Sequence, residues 1–369
     1  MERVVVGGYT STSLHLLTSL AVGENQSPSE SPTIMSREYK YLTKEQVDFF
    51  MNHGYVVIKQ ALKEEWIERV THDVWVRLGV DPNNKSTWSS ERVHQPWHRR
   101  ALAKDVAPAA WGAICEIVGG EERIADHCKE WRDGLITNMG LDKWENESIS
   151  PRELDNWHCD GDFFLHFLDS PEQGLLIIPL YSDIKPRGGG TYIAEDGAGV
   201  IARWLRDHPE GVQPGLGPGE GKFDFLARMN ECNIFTEMTG DRGDVILLHP
   251  LMLHSASKNH TRAPRLITNP PVSLKEPFDL NRKNPAEFSL VELKTLKELG
   301  VDKLDFVPTA PRQKIVPKRL DIQSKLLAEE LERMREHSAK TGVPVDSEHI
   351  NVAPDKLRDS LTPPMVKVA

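Results

Sequence analysis

The sequence predicts a mainly β domain with flanking helices, an α+β chain whose core is a sandwich or jelly roll. Its 369 residues are 39% hydrophobic and 27% charged, which is typical of a soluble globular protein with one large domain or two ordinary ones. Residues 41–120 carry helical patterning. From Gly134 onward, short β-rich runs alternate with turn residues, as in sandwiches and unlike repeated βαβ units.

The charge pattern and the cysteines exclude several classes of protein. A net charge of -10, without any basic block, argues against a nucleic-acid partner, because phosphate binding needs a concentrated basic surface. No apolar run approaches the roughly 18 residues that span a bilayer, so no membrane span is expected. The four cysteines lack CxxC spacing, which favours a reducing compartment and an intracellular, cytoplasmic location.

The first part of the chain is predicted to be disordered. Residues 1–40 mix short apolar pieces with a Ser/Pro-rich stretch. They lack the basic flank and the cleavage pattern of a secretory signal, although organelle targeting by residues 1–34 stays open. Globular patterning begins directly after Met35, which makes a natural start of translation at Met35 a second hypothesis.

A helical buttress is expected in residues 41–120. Thr43 and Gln46 form a capping-box pattern, which predicts a short helix that ends at His53, before Gly54. The next elements are a strand at residues 55–58, an amphipathic helix at residues 64–78, and a helix at residues 97–118 that Pro108 divides into two pieces. These helices are expected to cover one face of a sheet.

The β-rich part completes a predicted domain of residues 41–275. Its candidate strands are residues 135–138, 157–160, 163–167, 175–182, 191–194, 234–237, 245–249 and 266–273. Residues 195–231 interrupt them with two short helices around a Pro/Gly-rich loop. Long insertions in a β scaffold commonly form lids or substrate walls, so we predict a lid here, with a decorative loop as the alternative.

Residues 276–369 form a predicted helical extension. Helices are expected at residues 290–299 and 322–340. The second helix carries Leu327, Leu331 and Met334 on one apolar stripe. Packing of this stripe against the core is the simpler interpretation, and a homo-oligomer formed through the helix is the alternative.

The strongest functional signal is a histidine and a carboxylate two positions apart. His158 and Asp160 fall at the end of a predicted strand, where residues i and i+2 point to the same face. His254 lies 94 residues beyond Asp160, at the end of an apolar run. Two imidazoles and one carboxylate on one side of a metal make the facial triad of non-haem Fe(II) oxygenases. Zinc also binds such a set, as in metal-dependent hydrolases, but no general base is evident near the motif.

Arg265 is the fourth candidate residue of the site. It follows His254 by eleven residues, in the next apolar segment. A strand returning beside that of His254 could aim the guanidinium at a carboxylate near the metal. Arg262 is the rival carboxylate binder, but its position in a turn favours solvent exposure or a substrate contact.

Four neighbouring residues have structural roles as alternatives to functional ones. His249 competes with His254 as a ligand, but it lies five residues earlier, an odd offset that points it to the opposite face of a regular strand. Cys159 is expected to be a packed residue on the face opposite the two ligands. Trp157 and Phe163 are candidate walls of the pocket, with packing in the core as the equal alternative.

At these residues the chain resembles the phytanoyl-CoA dioxygenase family of Fe(II)/2-oxoglutarate oxygenases. The resemblance covers residues 42–274. It includes the motif at residues 157–160, the Gly-rich turn at residues 186–191, the phrase at residues 249–254, and Asn259 and Arg265 at the family's offsets from the distal histidine. One position departs from the family, because Ala256 stands where a hydroxyl often follows the distal histidine.

The resemblance implies a double-stranded β-helix, the jelly roll of cupin-like proteins. It further implies Fe(II) on His158, Asp160 and His254, with Arg265 holding the far carboxylate of 2-oxoglutarate. O2 would be the second cosubstrate and ascorbate a candidate reductant. The expected reaction oxidises, most simply hydroxylates, a C-H bond of a small organic molecule or acyl thioester, with release of succinate and CO2. A non-catalytic iron or 2-oxoglutarate sensor would preserve the same residues.

Overall fold

The first helix is bounded by the local signals in its sequence. In the computed structural model, which describes residues 37–214 and 224–362, helix α1 is Lys44–His53. The Thr43 side chain and Gln46 form the predicted capping box, and Gly54 ends the helix with a φ of 75°. The predictions for residues 1–36, including the targeting segment and a start at Met35, fall outside the described residues.

The remaining α-helices lie in three regions of the chain. The buttress and the insertion contain α2 (Glu64–Thr71), α3 (Val74–Leu78), α4 (Ala103–Val106), α5 (Pro108–Val118), α6 (Gly197–Arg206) and α7 (Phe225–Asn230). The C-terminal extension contains α8 (Leu290–Leu299), α9 (Arg319–Thr341) and α10 (Leu357–Leu361). Within the described part of the chain, no helix combines the length and apolarity that crossing a membrane requires.

The strands pair antiparallel throughout. They are β1 (Tyr55–Ile58), β2 (Arg92–His94), β3 (Arg100–Leu102), β4 (Glu130–Arg132), β5 (Ile136–Asn138), β6 (Leu175–Pro179), β7 (Thr191–Ala194), β8 (Phe235–Met238), β9 (Val245–Leu248), β10 (His254–Ala256), β11 (Arg265–Ile267) and β12 (Pro271–Val272). Among residues 37–214 and 224–362 they form four sheets, with strand orders β1-β9-β6-β12, β10-β7-β8, β11-β5-β2 and β3-β4.

Two of these sheets share one apolar core. Ile178 of β6 and Ile246 of β9 belong to the same buried cluster as Ile193 of β7 and Met238 of β8. Because these residues come from separate sheets, the sheets are packed face to face, as in a sandwich. A bridge between Leu180 and Ile267 joins the third sheet to the end of β6. The predicted mainly β jelly-roll class with flanking helices is confirmed.

Two predicted helices of the buttress differ from the structure. The predicted helix at residues 64–78 is broken at His72 and Asp73, because the Asp73 carboxylate is turned toward the buried guanidinium of Arg99. The first half of the predicted helix at residues 97–118 is partly β3, which pairs with β4. Asp133 Oδ1 accepts hydrogen bonds from the backbone N-H groups of His98 and Arg99 at 2.6 and 2.8 Å. These two N-H groups are therefore not available for the hydrogen bonds of a helix. The predicted break at Pro108 is confirmed, since α5 begins there.

Three predicted strands of the β-rich part also differ. Residues 157–160 and 163–167 make only isolated bridges, of His158 with His254, Phe164 with Lys314 and His166 with Val212. The predicted strand at residues 266–273 divides into β11 and β12. The sequence pattern therefore located extended segments, but it could not show which of them pair with a neighbouring strand along their whole length.

The C-terminal extension packs on the buttress. Leu327, Leu331 and Met334 of α9 are buried, so the predicted packing of this stripe is confirmed. Beside it, Glu330 accepts from Arg77 Nε at 2.8 Å, which joins α9 to α3. Since this face is covered by the chain itself, a homo-oligomer through α9 would have to use another face, and it stays a prediction.

Candidate metal centre

The three predicted ligands lie together. One ligand atom from each of His158, Asp160 and His254 falls within 4.8 Å of the others. Asp160 Oδ1 is 3.4 Å from His158 Nε2 and 3.5 Å from His254 Nε2. The three side chains therefore face a common point, with a spacing that a single metal ion could bridge.

The local backbone that presents these ligands is not the predicted strand. His158 and His254 exchange backbone hydrogen bonds, each N-H donating to the other's carbonyl at 2.9 Å, and this is a single bridge. His254 begins β10, where it stands opposite Ile193 of β7. Beyond Asp160 the chain turns at Gly161, which has a φ of 125°. The predicted strand at residues 157–160 is therefore wrong: His158 makes a single bridge, and Asp160 lies outside any strand, directly before Gly161.

Both histidines are held with Nε2 available to a metal. His158 Nδ1 lies 2.7 Å from the carbonyl of Asn156, and His254 Nδ1 lies 3.0 Å from the carbonyl of Met252. A carbonyl only accepts, so each Nδ1 must carry the proton and donate it. Nε2, the nitrogen that faces Asp160, can donate to that carboxylate while it carries a proton, and it offers its lone pair to a metal once that proton is displaced.

The carboxylate is held in its ionised form. Burial disfavours the charge of Asp160, but hydrogen bonds to His158 and His254 outweigh burial and hold the pKa of this carboxyl well below its usual range. Asn269 Nδ2 donates to Asp160 Oδ2 at 3.4 Å, on the oxygen opposite the histidines. An ionised carboxylate with one oxygen turned toward two imidazoles is a suitable oxygen ligand.

Arg265 lies in the same cavity as the cluster, but its strand does not lie where it was predicted. β11 pairs with β5, and Arg265 stands opposite Asn138, whereas β10 pairs with β7. The Arg265 side chain is 1% exposed, and its Nε and Nη2 have no hydrogen-bond partner within the described residues. Burial, with a contribution from Arg92, lowers its pKa to about 9, so the guanidinium still carries its charge at neutral pH.

A cavity of about 1050 Å³ contains the three ligands and Arg265. Its lining includes Phe163, as expected for a pocket wall. Pro214 and Phe225, which lie before and after residues 215–223 of the insertion, also line it. The centre of the predicted lid, residues 215–223, lies outside the described residues, and the lid remains a prediction.

The C-terminal extension supplies a wall of the cavity that sequence reasoning missed. Leu165 N-H donates to the Gln313 carbonyl at 2.9 Å and Ile315 N-H donates to the Phe163 carbonyl at 2.8 Å, so residues 313–315 lie alongside the segment that follows the motif. Farther on, Arg319 forms an ion pair with Asp162, and Arg319 and Leu320 line the cavity. The only sequence signal was the cluster of basic and apolar residues before α9, which has no metal-site pattern.

His249 and Cys159 do not belong to the ligand cluster. His249 is buried, with Nε2 at 3.0 Å from Thr295 Oγ1 and Nδ1 accepting the Leu251 N-H at 3.2 Å. Both ring nitrogens are therefore engaged. Cys159 is buried, and its Sγ lies 3.5 Å from the Leu251 carbonyl, which fits the packed role predicted for it.

Arg262 and Trp157 have structural roles and do not line the cavity. Arg262 was expected in solvent or against substrate, but it is buried, with its guanidinium 5.4 Å from the centre of the Trp88 ring and paired with Asp142. Trp157 is buried in the core, where Nε1 donates to the Pro151 carbonyl at 2.9 Å. The packing alternative therefore describes Trp157 better than a pocket wall.

No family model and no curated protein matches this chain. Among solved structures, the chain is similar to the non-haem α-ketoglutarate-dependent carbocyclase SnoK from nogalamycin biosynthesis, with 14% identity, coverage of 63% of this chain and 84% of SnoK, and a TM-score of 0.33. It is also similar to HygX from Streptomyces hygroscopicus with nickel and 2-oxoglutarate bound (17% identity, 62% and 85% coverage, TM-score 0.34). A third similar structure is EctD from S. alaskensis with 2-oxoglutarate and 5-hydroxyectoine. It has 12% identity, coverage of 66% of this chain and 80% of EctD, and a TM-score of 0.38. With TM-scores this low, the side chains of the site have to carry any inference about function.

Proposed function

We propose that this protein is a non-haem Fe(II)- and 2-oxoglutarate-dependent dioxygenase. In this proposal it oxidises, most simply hydroxylates, a C-H bond of a small organic molecule or an acyl thioester. His158, Asp160 and His254 hold the metal, and Arg265 binds the distal carboxylate of 2-oxoglutarate.

The observation that carries the proposal is the buried, unpartnered guanidinium of Arg265 in the same cavity as the ligand cluster. A buried charge without a partner is costly, and arginines at such sites are normally paired. A carboxylate would accept from two of its N-H groups at once. A dicarboxylate that reaches from the metal to Arg265 would satisfy both ends of the site.

The ligand set also fits the metal. Two neutral imidazoles and one ionised carboxylate on one side of an ion leave the other positions for a cosubstrate and O2. When bound, Fe(II) and 2-oxoglutarate supply the oxidising chemistry, in which O2 and 2-oxoglutarate are converted to succinate and CO2 as the substrate is oxidised.

The protein's own residues bind and orient the reactants. The carbonyls of Asn156 and Met252 fix the rotation of the two imidazoles, and Asn269 fixes one oxygen of Asp160. β11, which carries Arg265, is paired with β5 and with the end of β6, and Arg265 is 1% exposed, so its guanidinium is held away from solvent. Residues 313–320 cover one side of the cavity and limit the access of water to it.

Two other functions would use the same metal ligands. A sensor that binds iron and 2-oxoglutarate without turnover needs the same four residues. A zinc hydrolase would use the same ligands. The unpartnered Arg265 disfavours the hydrolase, because hydrolysis at zinc does not by itself require a carboxylate that such an arginine would bind.

Anaerobic calorimetry followed by an aerobic assay tests the proposal. The purified protein is loaded with Mn(II), which has similar ligand preferences, and titrated with 2-oxoglutarate. Succinate is then measured with Fe(II), 2-oxoglutarate and O2, with Zn(II) as the control metal. Metal-dependent binding together with Fe(II)-dependent succinate supports the dioxygenase. Binding without succinate for any candidate substrate favours the sensor, and failure of 2-oxoglutarate to bind contradicts the proposal.

A further inference from the structure

Glu172 is a buried carboxylate in the wall of the cavity that contains the metal centre. It is 5% exposed, and it lines the cavity together with Ser273. Its Oε2 has no hydrogen-bond partner within residues 37–214 and 224–362. A buried acceptor without a donor is costly, and a hydrogen-bond donor of a ligand would satisfy it.

The other carboxylates that line the cavity have partners. Asp160 faces the two histidines of the cluster and accepts from Asn269. Three further acids form ion pairs: Asp162 with Arg319, Glu130 with Arg100 at 3.1 Å, and Glu91 with Lys258 at 3.4 Å. Glu172 differs from them, because it forms no ion pair with any residue in the described part of the chain.

The charges around Glu172 compensate its carboxylate only in part. Burial raises the pKa of Glu172, and the negative charge of Asp169 adds to this effect. Its own backbone N-H and the positive charges of Arg312 and Lys314 act in the opposite direction without offsetting burial. Arg312 is paired with Asp169 at 2.7 Å, whereas Lys314 is exposed and lines the cavity. Lys314 is therefore the rival partner that a test has to include.

Glu172 lies within the length of one substrate from the metal centre. Its carbonyl accepts from the Ser273 hydroxyl at 2.8 Å, and Asn269 Nδ2 donates to Asp160 at 3.4 Å. Asn269 and Ser273 are four residues apart, which is a span of at most about 14 Å in an extended chain. A single substrate can therefore contact Glu172 with one part and present another part to the metal.

The wall between these two points is apolar. Pro271 lies midway between Asn269 and Ser273 and stands opposite Leu176 of β6, and both Pro271 and Leu176 line the cavity. Apolar side chains favour burial of a substrate, but a small number of polar groups fix its orientation in a pocket. Glu172 is placed to provide such a group.

We propose that Glu172 forms a subsite for a hydrogen-bond-donating group, a hydroxyl or an amine, of a primary substrate whose body is largely apolar. This proposal rests on the proposed function, because it takes the metal centre as the place where that substrate is oxidised. The apolar body packs against Leu176 and Pro271. The donor on Glu172 then fixes which C-H bond faces the metal.

The test compares three probes with the same number of non-hydrogen atoms: 1-octanol, octylamine and heptyl methyl ether. The ether accepts hydrogen bonds but cannot donate them. Full-length protein loaded with Zn(II), which is redox-inert, and 2-oxoglutarate is titrated with each probe, and ligand-observed NMR gives the dissociation constants. At least one donor should bind about fivefold or more tightly than the ether, because a hydrogen bond to a buried acceptor is worth about that factor. The tighter donor shows whether the subsite prefers a hydroxyl or an amine.

Two variants and one control locate the preference. Glu172→Met keeps most of the volume but loses the acceptor oxygens, so the donors and the ether should bind equally. Glu172→Gln keeps one acceptor oxygen without the charge, so a preference for the hydroxyl should remain and a preference for the amine should be lost. Glu130→Met changes another glutamate of the same cavity, one that is paired with Arg100, and should leave the wild-type preference in place.

Lys314→Gln tests the rival partner. If Glu172 is available to substrate, this variant should keep the preference of the wild type. A wild type without preference, together with a preference gained in Lys314→Gln, would show that Lys314 occupies Glu172 and would overturn the subsite.

The remaining outcomes separate this proposal from the proposed function. Equal binding of donors and ether by the wild type, no binding of either donor, or a preference that survives in Glu172→Met would overturn the subsite. The titrations are repeated without 2-oxoglutarate. A preference that depends on Glu172, in a protein that fails to bind 2-oxoglutarate, would support the subsite and contradict the proposed function alone.

Discussion

Two histidines five residues apart illustrate how environment, and not residue type, assigns a role. Only one ring nitrogen of His254 is used by the backbone, whereas both ring nitrogens of His249 are engaged with Thr295 and Leu251. The odd offset in the sequence predicted this difference. It could not predict the partners, because Thr295 belongs to α8, 46 residues away.

Removal of a ligand should therefore have a different effect at the two histidines. His254→Ala should abolish tight Fe(II) binding and succinate formation, as should His158→Ala and Asp160→Ala, because a facial triad with one ligand missing loses affinity and geometry. Metal binding by calorimetry and succinate formation measure this.

His249→Ala is the matched control for these variants. It should lower the melting temperature, since it leaves a cavity and removes the acceptor of the buried Leu251 N-H, but it should keep the metal. Loss of metal in His249→Ala with metal retained in His254→Ala would exchange the two roles.

The carboxylate site at Arg265 can be tested without changing its charge. Arg265→Lys keeps a cation but loses the planar two-pronged contact. The Michaelis constant for 2-oxoglutarate should rise about tenfold to a hundredfold, while Fe(II) affinity changes little. A titration of 2-oxoglutarate at saturating Fe(II), with succinate as the readout, measures this constant.

Arg262→Lys serves as the control, because Arg262 is also buried, only three residues away, and packs against Trp88. Its Michaelis constant for 2-oxoglutarate should stay near that of the wild type. Equal constants for Arg265→Lys and the wild type would remove Arg265 from the cosubstrate site.

At the scale of elements, prediction succeeded where the signals were local. The capping box at Thr43, the end at Gly54 and the start of α5 at Pro108 are each set by residues within one turn. The prediction of secondary structure failed at residues 100–102 and 157–160, where residues distant in the sequence determine the backbone conformation. Asp133 draws one segment out of a helix, and His254 gives the other only a single bridge.

The segment at residues 313–315 is an element whose pairing can be tested. Ile315→Pro removes the N-H that donates to the Phe163 carbonyl, at a cost of about 1 kcal/mol for the hydrogen bond and more if the ring is strained. The segment should then loosen from residues 163–165, and hydrogen exchange of the Leu165 amide should speed up. Ile315→Ala keeps the N-H and is the control. Equal exchange rates in both variants would show that this pairing does not hold the wall.

At the scale of the whole molecule, buried charges join the C-terminal extension to the buttress. Glu330 of α9 is 1% exposed and lies 2.8 Å from Arg77 Nε and 3.0 Å from His98 Nε2. Arg77 also reaches Asp133 at 3.2 Å, the same carboxylate that receives Arg99 at 2.9 Å. Sequence periodicity predicted the apolar stripe of α9, but not that a glutamate beside it is buried, because its partners lie more than 230 residues away.

Breaking this network should destabilise the whole domain. Glu330→Ala leaves the buried Arg77 with one acidic partner fewer, and loss of one member of a buried pair costs about 3 to 5 kcal/mol. Urea unfolding should show that decrease in the free energy of unfolding. Glu329→Ala, one residue earlier and exposed, removes only a 3.7 Å surface pair with Arg333 and should change stability by less than about 1 kcal/mol. Similar values for both variants would mean that the network adds little.

The position of the cavity wall in the chain has a consequence for biosynthesis. A ribosome completes His158, Asp160 and His254 well before it reaches residues 313–320, which cover the cavity. Domains begin to fold as they emerge from the ribosome. The metal ligands of a nascent chain would therefore be exposed to solvent until the C-terminal extension has been synthesised. Iron captured in that interval would meet bulk water and oxygen without the wall. A shortened translation product that ends near residue 275 would therefore keep the ligands and lose their enclosure.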